Sequence, residues 1–460
     1  MIAGASVKME IQLQKFEQIV RWADRQEANF FCGIPGMGKT AAALTYCESH
    51  SEGLYFSFRH LDAAFAPIAF GSLYPKVFGA CTDWTEFFDA LKIYGKEKRP
   101  TVFFDCVGER QDKDLFYQEL SRFLATEDTV CFILIGRPWE SIPIPHKITV
   151  AEAITMPELA DVFSLKDEDA AKIISLTAGL PALLSSYDTD QSFEENVRRM
   201  LRTDAAFYHL AQDWMGNCFR TPETYNTLLY GMTHGYNRIS ELSKLSGYPK
   251  NKCDKYLKAL MEHGLVRKEE GKNGHSKYYP ANSYLSLWYG ALFTAVPNAD
   301  GRFREETCSD FMKYLNDVVL ANFYKDLCRH WIRENINQYT DSVIRCDDAS
   351  SCDVKLGNIT FDFVFEDRRK FFVYFDCVPR AGLTKQLWTE IEEATTKSRP
   401  FYDNEYFLCT VNRVPDSYWA LSKQYDNVHI IQRKSLFTEF KKKYNRRVHP
   451  KFIPDFVRRK

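Results

Sequence analysis

Long apolar runs are missing from this sequence. No stretch approaches the roughly 20 residues that a bilayer-spanning helix needs, so no helical membrane span is expected. The first residues show none of the basic, apolar and small-residue order of a secretory signal. The 13 cysteines form no C-x-x-C pair. Most sit inside apolar runs (Cys32, Cys106, Cys131, Cys377, Cys409), where a thiol behaves as a small hydrophobe. Cys346 and Cys352 flank a polar turn with no second ligand pair nearby, so zinc is not expected. Reduced thiols point to the cytoplasm. Charge of one sign is also lacking: the net charge of -1 gives no global pull toward nucleic acid or membrane, although local patches remain open. There is no low-complexity tract, no internal repeat and no Pro/Gly-rich linker.

What is present is ample for two or three domains: 460 residues, 45% hydrophobic and 26% charged. Residues 10–27 place Ile11, Leu13, Phe16, Ile19, Val20 and Trp22 at roughly helical spacing. Short apolar strands are expected at Phe30-Phe31-Cys32 and at residues 53–58, 101–107 and 129–136. Amphipathic helices follow Thr40 and occupy residues 83–95 and 113–125. This alternation predicts an α/β unit with a parallel sheet covered on both faces. From about residue 151 to 220 helices take over. The expected division is 1–220 (with a helical lid at about 151–220), 221–300 and 301–460.

The most informative stretch is Cys32-Gly33-Ile34-Pro35-Gly36-Met37-Gly38-Lys39-Thr40-Ala41. Gly33-x4-Gly38-Lys39-Thr40 fits G-x-x-x-x-G-K-[ST], with a strand before it and a helix after it. Glycines let backbone amides turn inward around phosphate oxygens, and the following helix aims its positive end at the anion. Lys39 is expected to reach the β- and γ-phosphates of ATP, and Thr40 to ligate Mg2+. Residues 33 and 35–41 are the candidate nucleotide cradle.

Asp105 ends the run Val102-Phe103-Phe104, where ligands bind in open α/β sheets. It is the second candidate Mg2+ ligand, the alternative being a cap or loop aspartate. In such ATPases a glutamate often follows this aspartate and polarises the attacking water; here the position is Cys106. Two readings stand for Glu109, in Asp105-Cys106-Val107-Gly108-Glu109: a substitute base, or an exposed loop acid. Two also stand for Arg137, after the fourth strand: a γ-phosphate sensor, or a surface ion-pair partner.

The loop at 33–40, the strands TVFFD and FILIG, and Leu176-Thr177-Ala178-Gly179-Leu180-Pro181 together resemble the archaeal-type P-loop ATPases of the STAND/AAA-like class. The resemblance implies that Gly179 and Pro181 border the adenine on the lid. It also implies a P-loop domain, a helical lid, a winged helix and often a C-terminal domain resembling restriction endonucleases. The chain departs from that pattern at Cys106 and in lacking a recognisable N-terminal Arg-Glu box.

Residues 221–290 read as three helices and a hairpin. Thr221-Pro222-Glu223 opens the first, Ile239, Leu242 and Leu245 mark the second, Lys250 to His263 forms the third, and Gly271–Gly274 forms the hairpin tip. Lys250, Lys252, Lys255 and Lys258, with Arg267, Lys268, Lys272 and Lys277 on the wing, are candidate DNA-phosphate partners. Glu262, Glu269 and Glu270 dilute that charge, and a protein-docking module is the other reading. Beyond residue 300 a long helix, paired strands and a helix–strand–helix–strand order follow. Asp362 and Asp376 stand where metal-dependent nucleases keep their carboxylates, but Val378 stands where the lysine should be, with Lys385 the nearest substitute. Nuclease activity is therefore not expected. The tail from Lys434 is basic, either for a phosphate backbone or acidic partner or as a solvated end. The functional expectation is a Mg2+-dependent ATPase acting as a nucleotide-dependent switch. The alternative is a non-hydrolysing, nucleotide-gated DNA-binding or protein-scaffolding module, its protein partner unnamed by the sequence.

Overall fold

The computed structural model describes residues 17, 19–21, 23–59, 61–108, 114–269, 276–340, 350–366, 369–378, 382–398 and 404–447. They form two compact units: residues 1–154 with 177–308, and residues 155–176 with 309–460. Of the expected N-terminal helix, residues 17 and 19–21 are helical and the remainder, Trp22 included, lies outside the described residues apart from the turn that leads into the first strand.

The first unit begins with β1 (Ala28–Cys32), α1 (Lys39–Ser49), β2 (Gly53–Ser57), α2 (Ala66–Leu73), α3 (Trp84–Lys98), β3 (Thr101–Asp105), α4 (Asp114–Thr126), β4 (Cys131–Gly136) and β5 (His146–Val150). The sheet order is β2-β3-β4-β1-β5, and every pairing is parallel. This is the expected α/β sheet with one strand more. β5 was not legible because it is an edge strand whose apolar residues Ile148 and Val150 face outward. Side chains alternate across the sheet. Phe56, Phe104, Phe132 and Leu134 enter an aromatic core with Phe70, Trp84, Phe87 and Phe116. On the opposite face Phe103 meets Tyr46 of α1 at 5.4 Å between ring centroids. Rings in offset and edge-to-face contact fix this half of the sheet. The connections from β1 run toward β2 on one side and from β4 to β5 on the other. Strand order therefore reverses at β1, the place where open α/β sheets take their ligands.

The chain next makes α5 (Met156–Phe163) and α6 (Asp167–Thr177), most of which belongs to the second unit, and returns through α7 (Pro181–Leu184), α8 (Phe193–Met200) and α9 (Ala206–Cys218). At the return, the Ile154 amide donates to Gly179 O at 2.9 Å. Gly179 has φ 68, and a Cβ there would stand 2.0 Å from Ile154 O, so only glycine fits. The unit ends with α10 (Glu223–Thr233), α11 (Ile239–Ser246), α12 (Lys250–Glu262), an antiparallel hairpin of β6 (Val266–Glu269) and β7 (Lys277–Pro280), and α13 (Ser283–Leu287). The expected hairpin tip at 271–274 lies outside the described residues.

The second unit carries most of α14 (Glu305–Tyr314), then α15 (Ala321–Asn335), β8 (Ser350–Leu356), β9 (Ile359–Glu366), β10 (Lys370–Asp376), α16 (Lys385–Ser398), β11 (Asn404–Thr410), α17 (Asp416–Gln424), β12 (Val428–Gln432) and α18 (Arg433–Arg447). Its sheet is mixed, in the order β12-β11-β10-β9-β8, with β10, β11 and β12 parallel. Of the basic tail, Arg433–Arg447 is helical: Tyr324 of α15 packs on its Phe437, and Arg433 and Lys441 pair with Glu168 and Asp167 of α6 at 2.9 and 2.6 Å; the tail beyond residue 447 lies outside the described residues.

Candidate functional site

β1 delivers the chain into the glycine loop. Gly36 (φ 85) and Gly38 (φ 72) are left-handed, and Gly38 precedes the first turn of α1. The loop is backed by the returning helices. A Cβ on Gly38 would stand 3.3 Å from Pro181 Cβ, one on Gly36 3.0 Å from Leu210, and Ala182 donates its amide to Gly36 O at 3.0 Å. Pro181 is thus beside the loop. Met37 is buried, Pro35 is half-buried and Ala41 is exposed on α1.

Lys39 opens α1, and its ammonium donates to Gly33 O at 2.7 Å and Ile34 O at 3.3 Å. Burial pulls its pKa from 10.5 to about 8; the Asp105 and Glu140 carboxylates oppose that fall and the Arg137 guanidinium adds to it. Asp105, at the end of β3, is buried. Its Oδ2 accepts from Thr40 Oγ1 at 2.6 Å and from the Tyr55 hydroxyl at 2.7 Å, while its Oδ1 accepts the Cys106 amide at 2.8 Å. Burial and then the neighbouring carboxylate push the Tyr55 phenol far up, so it remains a donor.

Cys106 occupies left-handed space (φ 60), and its side chain packs into the aromatic core. Glu109 lies outside the described residues. Arg137 is half-buried on the turn after β4 and its charge acts on Lys39.

Two residues of the site went unread in the sequence. Tyr55 looked like an ordinary strand residue. Glu140 closes the turn Arg137-Pro138-Trp139-Glu140: its Oε2 accepts the Arg137 amide at 2.7 Å. Its carboxyl group lies over two glycines. A Cβ on Gly108 would stand 2.3 Å from Glu140 Cδ, and one on Gly136 2.4 Å from Glu140 Oε2. These glycines follow β3 and end β4, so Glu140 occupies the sheet edge that carries Asp105. No spacing rule signals such an acid.

The same turn meets the three-helix unit. The Trp139 ring is 5.0 Å from the His263 ring, and a Cβ on Gly264 would stand 3.1 Å from Ile34 Cγ2 of the glycine loop. The C-terminal end of α12 therefore rests on the loop. Lys250, Lys252 and Lys255, at its other end, are exposed, with Lys252 Nζ 4.1 Å from the Tyr248 ring centroid. Lys258 pairs with Asp254 at 2.8 Å and Arg267 with Glu269.

In the second unit, Asp362 binds Lys325 of α15 at 3.1 Å and accepts the Phe375 amide at 2.9 Å. The lysine beside this acid is Lys325 rather than Lys385, which is exposed on α16; a long helix crossing the sheet supplied what local order could not indicate. Asp376 is buried and accepts from Thr410 Oγ1 at 2.8 Å and Asn412 Nδ2 at 3.1 Å; burial raises its pKa despite those bonds. Among the described residues no group of three or more His, Cys, Asp or Glu is arranged to hold a metal ion, and no helix is long and apolar enough to cross a membrane.

Comparison with known proteins adds one local match. Residues 222–284 fit the profile of the family described as sugar-specific transcriptional regulator TrmB. The matched span is the winged helix. No curated relative matches by sequence. Among solved structures, similarity extends to a signal transduction ATPase with numerous domains and a tetratricopeptide repeat sensor from Pyrococcus horikoshii (16% identity, 71% of this chain and 49% of that one, TM-score 0.29). It also extends to the Aeropyrum pernix ORC1 protein in complex with DNA (13%, 60% and 90%, TM-score 0.30) and to Cdc6p from Pyrobaculum aerophilum (12%, 67% and 94%, TM-score 0.31). The chain thus spans about half the length of the first of these. Likenesses this distant carry no functional weight.

Proposed function

We propose that the chain binds ATP with Mg2+ at residues 33–41 and acts as a nucleotide-dependent switch that hydrolyses ATP. The observation that carries this reading is the convergence of Lys39, Thr40 and Asp105 at the switch point of the sheet, with Thr40 Oγ1 2.6 Å from Asp105 Oδ2. An alcohol and a carboxylate oxygen suit Mg2+, a hard cation that takes one or two protein ligands beside phosphates and water. Thr40 and Asp105 would hold it, and bound there it would neutralise phosphate charge. The loop carbonyls that accept from Lys39 would yield their place to phosphate oxygens. Gly179 and Pro181 would border the base, and Arg137 the γ-phosphate.

The switch element of this reading is the winged helix, with DNA as partner through Lys250, Lys252 and Lys255. Its support is the close approach of Gly264 to the glycine loop, where a Cβ on that glycine would stand 3.1 Å from Ile34 Cγ2, and the match to a family of transcriptional regulators. We read residues 1–220 as the ATPase domain with its lid, 221–300 as the winged-helix domain, and 301–460 as a restriction-endonuclease-like domain without nuclease activity that docks a protein partner or braces the ATPase. The site of action on this reading is the cytoplasm. Cys106 favours the second reading, a switch that binds ATP without breaking it. Titration calorimetry of Mg-ATP against the parent and Lys39→Ala tests the common ground: binding by the parent and none by the variant is expected, and equal affinity would remove the P-loop from the proposal.

A further inference from the structure

The position after Asp105 cannot supply a base, because Cys106 turns into the core in a left-handed conformation. Among the described residues, Glu140 brings a second carboxylate to this edge of the sheet. Three observations place it there. Gly108 and Gly136, at the C-terminal ends of β3 and β4, leave the space its carboxyl group fills, since a Cβ on either would come within 2.4 Å of it. The turn Arg137–Glu140 holds it through the Arg137 amide at 2.7 Å. Its charge acts on the Lys39 ammonium, as does that of Asp105. Asp105 is already committed to Thr40, Tyr55 and the Cys106 amide.

We propose that Glu140 is the general base of ATP hydrolysis, supplied from the turn after β4 instead of from the residue after the strand aspartate. This rests on the ATP reading above. Glu140 takes a proton from a water molecule as the water oxygen attacks the γ-phosphorus. The new phosphorus–oxygen bond forms while the bond from phosphorus to the β–γ bridging oxygen breaks. ADP leaves with that electron pair, and the proton on Glu140 passes to inorganic phosphate or solvent. Arg137, on the same turn, is held in register with the base by the hydrogen bond that fixes Glu140. The two glycines are then positioning residues: they act by leaving room.

The test uses the full chain and reads turnover and binding separately. Glu140→Gln removes the base and keeps an acceptor for the Arg137 amide. Gly108→Ala leaves Glu140 in the sequence but displaces its carboxyl group. Both should bind Mg-ATP within about threefold of the parent, so that the loss falls on kcat. Glu140→Gln should lose about 100- to 10,000-fold in turnover, the usual worth of a general base, and with it the acid limb of the kcat–pH profile. Turnover by Glu140→Gln at the parent's rate overturns the assignment. So does a parent that binds ATP but turns it over no faster than that variant. If Glu140→Gln fails to fold, undiminished turnover in Gly108→Ala overturns it in its place. A parent that binds no Mg-ATP by calorimetry refutes the nucleotide reading itself, a result distinct from all of these.

Discussion

Lys39 should destabilise the ligand-free protein and stabilise the loaded one. Its ammonium is buried in the loop, and that burial lowers its pKa from 10.5 to about 8. A fall of that size corresponds to about 3 kcal/mol of unfavourable charge burial at neutral pH. Lys39→Met removes the charge and preserves most of the volume. It also leaves the Gly33 and Ile34 carbonyls without their donor, which offsets the gain by about 0.5–1.5 kcal/mol for each of the two hydrogen bonds. The net expectation is a ligand-free variant about 1 kcal/mol more stable than the parent, or about 2–4 °C in Tm. The pH dependence fixes the sign. The unfolded lysine keeps its proton up to 10.5 and the folded one only to about 8. The parent should therefore gain stability as pH rises through that window, and the variant should lack the gain. Saturating Mg-ATP reverses the order, because at 100 times Kd a ligand stabilises by about 2.7 kcal/mol and only the parent binds it. Denaturant melts at pH 7 and pH 9.5, with and without Mg-ATP, measure all three effects. A ligand-free variant less stable than the parent at pH 7, with the same pH slope, would refute the account of a desolvated ammonium.

Gly179→Ala should destabilise the first unit by at least about 2 kcal/mol, since it adds positive-φ strain to a Cβ placed 2.0 Å from Ile154 O; unchanged denaturant midpoints would show that the backbone there yields freely. Replacing Lys250, Lys252 and Lys255 by Ala should weaken DNA binding and flatten the log K against log salt slope by about 0.9 for each phosphate no longer neutralised. Identical slopes in parent and variant would leave the winged helix as a structural arm.

The parallel sheet, the glycine loop and the acid at the end of β3 were legible because each rests on local signals: short apolar strands, a fixed spacing and a strand-end position. The helix order beyond residue 300 was legible for the same reason, although β8 was missed. Its segment Ser350–Leu356 alternates weakly and is polar at its start. What was not legible depends on the path of the chain in space. Glu140 reaches the site because glycines on two strands vacate it. Lys325 reaches Asp362 from a helix 37 positions earlier in the chain. The close approach of Gly264 to Ile34 follows only once α12 is seated on the loop. Cys106 read as a simple omission of an acid. Its left-handed backbone and its buried side chain place the position in the aromatic core.

The acids of the second unit follow a related logic. The β9–β10 ladder pairs residues as far as Val373 with Phe363. The Phe375 amide of β10 is taken instead by the carboxylate of Asp362, whose other oxygen is held by Lys325. β10 meanwhile continues along β11 to Asp376 opposite Thr410, where the Thr410 hydroxyl binds the Asp376 carboxylate. Both acids therefore close the sheet where one neighbouring strand ends and the other continues. Burial raises the pKa of Asp376, and its hydrogen bonds with Asn412 and Thr410 oppose that rise. One acid of this unit is paired with Lys325 and the other is held by Thr410 and Asn412. The hydrogen bonds of the pair are those of a joint in the sheet.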